Sequence, residues 1–321
     1  MNKMNTKALV EGAIFASVTA VLGILVYYMP FLSLLSMFWP TPIIIIGFRN
    51  GFKVSIISAV VAAIIVAIFT EPFSGIYLFL VFGIAGIIMG HLMSKKVNPA
   101  LNIAVSGIIL AVCSVFGLLF GFFMAGQSAT QAMDLMISIM QESIDSAASV
   151  YRSIGMSEEQ LSNIISTMKE SLVAIRYVMP TLFLLSGILF SFVNYKFVKV
   201  VLNRMKYEIA DVKPFSKWRI PDNFSMGMLV ILLLSMAATY FNVPNMQTVQ
   251  LNIIYIIKWV FAIIGLSVAC YLLDKYGISK ALKIIIMFFI FTSFSNYLVI
   301  VGLIDTVFDF RKLNKRHIGG I

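Results

Sequence analysis

Nine runs of mostly apolar residues, each about long enough to cross ~30 Å of hydrocarbon as a helix, take up most of this chain and leave it few folds. A bilayer interior offers no partner to backbone N–H and C=O groups, so a crossing segment has to close its own hydrogen bonds, as a helix does. The runs lie near residues 8–28, 31–48, 51–69, 74–92, 100–125, 173–198, 224–242, 251–273 and 282–305. Of the 321 residues, 60% are hydrophobic and 12% charged, against roughly 45–50% and about 25% in a soluble domain. The expected fold class is all-α, a polytopic helical membrane protein with about nine spans. The second run, "PFLSLLSMFWPTPIIIIGFRNG", contains Pro40 and Pro42, which break a helix interior. It predicts a bent or partly unwound span closed by Gly47, Arg49 and Gly51.

The formal net charge of +10 does not mark a nucleic-acid protein, because the basic residues fall in short pieces between apolar runs. With the N-terminus inside, the cytoplasmic pieces collect Lys3, Lys7, Arg49, Lys53, Lys95 and Lys96, then seven basic residues from Lys196 to Arg219, then Lys275, Lys280 and Lys283. Those sixteen stand against Arg152, Lys169 and Arg176 on the other side. The expected location is the bacterial cytoplasmic (inner) membrane, multi-pass, with a cytoplasmic N-terminus. The tail resists this pattern: nine full crossings put Arg311, Lys312, Lys315 and Arg316 outside. Either the last run does not cross fully or an earlier run is misassigned. The first run has no convincing cleavage site and reads as a retained span.

One sizeable piece, Gly126 to Glu170, is not apolar enough to span. Met133, Ile137, Met140, Ile144, Ala147 and Tyr151 form a stripe with steps of four and three, and Leu161, Ile165, Met168 and Leu172 repeat it. Gly155 ends one helix, Ser157 caps the next, and Gln160 is placed for a capping box. The prediction is an extracytoplasmic helical hairpin over 127–171 whose second arm continues into the sixth span.

Catalytic and metal motifs are missing. There is no G-x-x-x-x-G-K-[ST], H-E-x-x-H or G-x-S-x-G, and His91 and His317 are the only histidines. Cys113 and Cys270 lie inside apolar runs and predict no disulfide framework. No enzyme activity, metal, cofactor or nucleic-acid partner is expected. Ionisable groups at membrane depth are the default functional candidates. Arg176 and Tyr177 sit near the outer end of the sixth span before Pro180, and Lys258 lies two turns into the eighth. With Tyr77 they form the expected substrate pocket. Glu11 either snorkels or serves function, and Asp305, Asp309 and Arg311 read as a local ion pair. Gly83, Gly86 and Gly90 in the fourth run, and Gly117 and Gly121 in the fifth, predict close helix packing.

Ala8, Gly12, Ala16 and Ala20 recur every fourth residue, a smooth stripe that admits another backbone. That stripe, with the proline-broken second run leading into "IIIIGFRNGFKVSIISAVVAAI", resembles the substrate-binding (S) components of energy-coupling-factor vitamin transporters. The resemblance covers about residues 1–200. It implies a six-helix core, a small-molecule solute bound from outside, and docking of the stripe on a membrane coupling protein that works with ATPase subunits. The whole chain is similar to the YybS family of uncharacterised bacterial membrane proteins, carried by "TKALVEGAIFASVTAVLG", "WPTPIIIIGFRNG" and "VGLIDTVFDFRKL". Members are often encoded beside a membrane-anchored cyclic-dinucleotide phosphodiesterase, which the resemblance offers as a partner. The hairpin and the three spans after residue 200 depart from a plain S component. The expected organisation is a core over 1–200, then a cytoplasmic loop, three further spans and a basic tail over 201–321. The leading function is a solute-binding transporter component energised by partners. The rivals are a non-transporting interaction or regulatory protein, and an ion-coupled carrier using Lys258 and Glu11.

Overall fold

The computed structural model describes residues 6–312. The expectations on Lys3, Lys315, Arg316 and His317, and on the side chain of Arg176, lie outside the described residues. Among the described residues, nine helical stretches are long and apolar enough to cross a membrane. The chain divides into two compact units, Met1–Val212 and Lys213–Ile321. The boundary falls at residue 212 rather than 200 because the segment after α8 (Glu158–Arg204) folds back onto the first unit. The Tyr195 hydroxyl donates to the Ala210 carbonyl at 3.0 Å. Ile209 and Val212 pack on a core of Ile44, Ile45, Tyr195, Val198 and Leu202.

The first unit opens with α1 (Thr6–Tyr28), followed by a 3₁₀ helix (Pro30–Phe38), α2 (Thr41–Asn50) and α3 (Phe52–Phe69). The second apolar run is therefore broken as its prolines require, half in 3₁₀ form and half in α form. Asn194 of α8 holds the break: its Nδ2 donates to the Met37 carbonyl at 2.8 Å, and its Oδ1 accepts from the Thr41 hydroxyl at 3.0 Å. This supplies partners to groups that the lost helical turn leaves open. Gly51 separates α2 from α3 with φ +89°, a conformation that side chains disfavour.

The small-residue stripe of α1 is filled by α3 of the same chain. Gly12, Ala16, Ala20 and Gly23 are buried. Ala16 and Ala20 pack with Ala62 and Val66, and the Ser58 hydroxyl donates to the Gly12 carbonyl at 3.0 Å. Ala8 is half-buried at the helix start. Within this unit, α3 of the same chain thus takes the close approach that the small residues Gly12, Ala16 and Ala20 permit. The bulky Ile14, Val18 and Val21 point outward from α1.

The fourth span is α4 (Pro72–Leu78), a π-helical turn (Phe79–Gly83) and α5 (Ile84–Ser94), and α6 (Pro99–Met124) follows. Gly86 lets α5 lie against the break in the second span, since a Cβ there would fall 2.9 Å from that of Pro40. The hairpin is formed by α7 (Ala129–Ser153) and the first turns of α8. Ser157 caps α8 through Gln160 N, but the reciprocal capping box sits one helix earlier, between Ser128 and Gln131. The buried edge of α7 runs through Ile144 and Ala148, whereas Ala147 and Tyr151 are exposed. Helix α8 continues through Pro180 without a break.

The second unit contains α9 (Asp222–Tyr240), α10 (Met246–Lys275) and α11 (Lys280–Phe308). Helices α10 and α11 cross in direct backbone contact: a Cβ on Gly265 would strike the Leu298 carbonyl, and one on Gly302 the Phe261 carbonyl. Helix α11 is kinked at Phe294, whose φ −128° and ψ 26° are not helical, and Asp309 ends it in a left-handed turn. Beyond that turn Arg311 bonds the Ser267 hydroxyl at 2.7 Å. Ser267 is eight residues from the Lys275 end of α10 and twenty-one from the Met246 end, so about 12 Å against about 32 Å at 1.5 Å per residue. The kinked last run and its terminal turn leave Arg311 toward the Lys275 end.

Candidate functional site: a polar cavity at the basic end of the first unit

The start of α1, the end of α2 and the start of α3 meet at one end of the first unit, where the chain leaving α8 also passes. Helix α8 closes with Lys206 in the left-handed region (φ +67°), the Lys206 N–H on Asn203 O and the Tyr207 N–H on Leu202 O. That pattern is a Schellman cap. It turns Tyr207 onto Phe48, with ring centroids 5.3 Å apart and planes at 87°. Lys7, Ala8, Glu11, Arg49, Asn50 and Tyr207 line a cavity of about 190 Å³. Arg49 Nη2 donates to Glu11 Oε1 at 3.2 Å, each side chain only about a fifth exposed (21% and 20%). Beside this pair, Arg49 Nε and Asn50 Oδ1 are buried without a hydrogen-bond partner. Charged and amide side chains from separate helix ends thus converge on one hollow, which is the usual mark of a candidate binding site.

Tyr77, Tyr177 and Lys258 are each described in their own unit. Tyr77 is half-buried against Gly117 and Phe73 in an aromatic group that includes Phe120. Tyr177 is exposed at 44%. Lys258 lies over the ring of Tyr255, 6.0 Å from its centroid, one helical step away. Lys258 belongs to the second unit, and Tyr77 and Tyr177 belong to the first. Among the described candidates, Glu11 and Ala8 reach the cavity. The sequence marks Arg49 as closing the second span, and nothing around Asn50 or Tyr207 announces that they meet it.

A second cluster is built on Arg311. Its Nε and Nη2 donate to Asp305 Oδ2 at 3.0 and 2.7 Å. Nη1 donates to Ser216 O at 2.8 Å and to the Ser267 hydroxyl at 2.7 Å, and Nη2 also reaches Trp218 O at 2.8 Å. All five guanidinium N–H groups are thereby used. Arg219 and Asp309 form a further ion pair at 3.6 Å. The expected local pair is present, and it also fastens the loop that enters the second unit. A separate hollow of about 290 Å³ at the α9–α10 turn is lined by Thr239, Asn242, Asn245, Gln247 and Thr248 with no charged group. Among the described residues, no three His, Cys, Asp or Glu side chains gather as metal ligands.

The model of a family described as "Predicted membrane protein (DUF2232)" matches residues 17–306. The chain belongs to the DUF2232 family. Within it, the chain is similar to the protein called "Uncharacterized protein YybS" of Bacillus subtilis (strain 168), at 28% identity over 309 residues, covering 95% of this chain and 98% of that one. No solved structure matches. The family match takes in Arg49, Asn50 and Tyr207 at the cavity and Ser267 and Asp305 of the Arg311 cluster.

Proposed function

We propose that this DUF2232 protein is a multi-pass component of the bacterial cytoplasmic membrane, with its N-terminus inside, that binds a small polar solute in the Glu11–Arg49 cavity. Its part in transport is to hold the solute while separate subunits, a membrane coupling protein and ATPases, supply the energy. The observation that carries this reading is the convergence of Lys7, Glu11, Arg49 and Asn50 on one hollow, with Glu11 and Arg49 paired at 3.2 Å. The charge count supports the orientation, since the cavity lies among Lys7, Arg49 and Lys53 on the heavily basic side.

The test is native mass spectrometry of the detergent-purified protein, joined to a melting screen with small polar and anionic compounds. A retained or stabilising compound whose effect disappears in Asn50→Ala is the expected result. A native protein that retains nothing and is stabilised by no compound overturns the solute-binding reading. Co-purification of ATPase subunits from native membranes tests the energising partners separately.

A further inference from the structure

We infer that the outer face of α7, in the hairpin, is a contact surface for a second copy of this chain. The inference is independent of the solute-binding reading.

The hairpin's own connections hold it outside the apolar layer. The spans on either side of it end at Met124 and begin at Tyr177, and α8 runs unbroken from Glu158 through the second of them. Residues 158–176 of α8 therefore rise beyond that span by about 28 Å, at ~1.5 Å per residue. Two ion pairs strap α7 along this arm, Asp145 to Lys169 at 2.9 Å and Arg152 to Glu158 at 3.0 Å. Helix α7 thus stands beside α8 and does not lie along a bilayer surface, so lipid does not cover its apolar side.

One edge of α7, at Ile144 and Ala148, is buried within the first unit. Another side is bare. Leu135, Ile139 and Val150, with Ile154 just past the helix end, are between 49% and 71% exposed. At ~100° per residue they fall with Ser143 and Ser146 inside about 100° of arc, turned well away from Ile144 and Ala148. None of the six is charged, and Asp134, Asp145 and Arg152 lie on the far side of the helix. The Ser143 hydroxyl is spent on its own helix, donating to the Ile139 carbonyl at 2.9 Å. The four large side chains expose on the order of 400 Å² of surface to water, the size at which an apolar patch marks an interaction site.

A second copy fits this face. The stripe offers no charge for an oppositely charged partner to complement, whereas it is complementary to itself. Copies of one chain cross a bilayer in the same sense, so their hairpins stand on one side and point the same way. A two-fold axis along the membrane normal lays one stripe on the other, each position opposite itself. Ser143 and Ser146, small and central, let the two helices close. The large side chains of both copies bring about 800 Å² together, and the helix surface between and beside them carries the total to roughly the 1,200–2,000 Å² of a stable interface.

The experiment is cysteine cross-linking of the full-length protein in native membranes, in a background of Cys113→Ala and Cys270→Ala, with copper phenanthroline as oxidant. Ser146→Cys should give a covalent dimer of twice the chain mass. Ser138→Cys, on the side of α7 away from the stripe, should give about tenfold less, because a disulfide needs Cα atoms within ~7 Å. Ile139→Glu added to Ser146→Cys should cut the dimer about fivefold or more, since it sets like charges against each other. Val150→Glu should act in the same way. Both positions are exposed, so the melting temperature of the variant protein should stay unchanged. Absence of a dimer with Ser146→Cys overturns the inference. Equal yield from Ser138→Cys, or a yield indifferent to both glutamates, overturns it too. A cross-linked product of any other mass places a different protein on the stripe and overturns the assignment to a second copy.

Discussion

Arg311 grips Asp305 through two nitrogens, Nε at 3.0 Å and Nη2 at 2.7 Å on the same carboxylate oxygen, with both side chains only 1% exposed. The remaining donors of Arg311 hold Ser216 O, Trp218 O and the Ser267 hydroxyl. One side chain thus ties the end of the chain to α10 and to the loop leading into α9. Arg311→Ala strands Asp305, whose Oδ1 already lacks a partner, and should destabilise the second unit by about 3–5 kcal/mol. Arg311→Ala combined with Asp305→Asn should lose less than the sum of the two single changes, because no buried charge is left unpaired. Melting temperatures of the three variants in detergent check this.

Enlarging the stripe of α1 should damage the fold itself. Ala16 is 1% exposed in the interface with α3, and a Cβ on Gly12 would fall 2.9 Å from Ser58 Oγ. Ala16→Leu and Gly12→Val should each cost about 1–3 kcal/mol through overpacking. Val18→Leu, on the outward face at 48% exposure, should leave the melting temperature unchanged. An unaltered Ala16→Leu protein would mean that α3 does not seat on this stripe.

Asp211 sets a pH dependence in the segment that closes the first unit. Burial alone would raise its carboxyl, but hydrogen bonds from Lys196 and Lys199, with their charges, outweigh burial and bring it down to about 2. A carboxyl held below its unfolded value near ~3.9 binds a proton more readily in the unfolded chain. Its stabilisation is therefore complete above about pH 4 and lost as pH falls through about 2. The carboxylate is 44% exposed, so the contribution is about 1 kcal/mol at most. Asp211→Asn should lower the melting temperature slightly at pH 6, and the gap from the native protein should narrow as pH falls from about 4 toward 2.

Topology can be read chemically. In a background with Cys113 and Cys270 replaced, a cysteine at Gly155 should react with an impermeant maleimide added to intact cells. A cysteine at Lys206 should react only after lysis. The sixteen-to-three division of basic residues motivates both expectations. Labelling at Lys206 in intact cells would invert the protein and put the cavity on the outer face.

The sequence by itself determined the spans, the break in the second run and the helical hairpin. Each follows from local physics: a run of about twenty apolar residues, Pro40 and Pro42 in a helix interior, Ser157 ahead of an amphipathic stripe. Small residues at four-residue spacing likewise announced that α1 would be approached closely. Only the tertiary structure decided by what, because Gly12 meets Ser58 across 46 positions of chain and either backbone could have filled the stripe. The cavity was hidden for the same reason. Lys7, Arg49 and Tyr207 come from three distant helix ends, and no periodicity encodes where helix ends converge. Arg311 illustrates the limit most directly: its pairing with nearby Asp305 could be read from spacing, but its bonds to Ser267 and Ser216 depend on how α11 kinks and ends. Local sequence sets which segments enter the membrane, and packing sets which polar groups face one another once they are there.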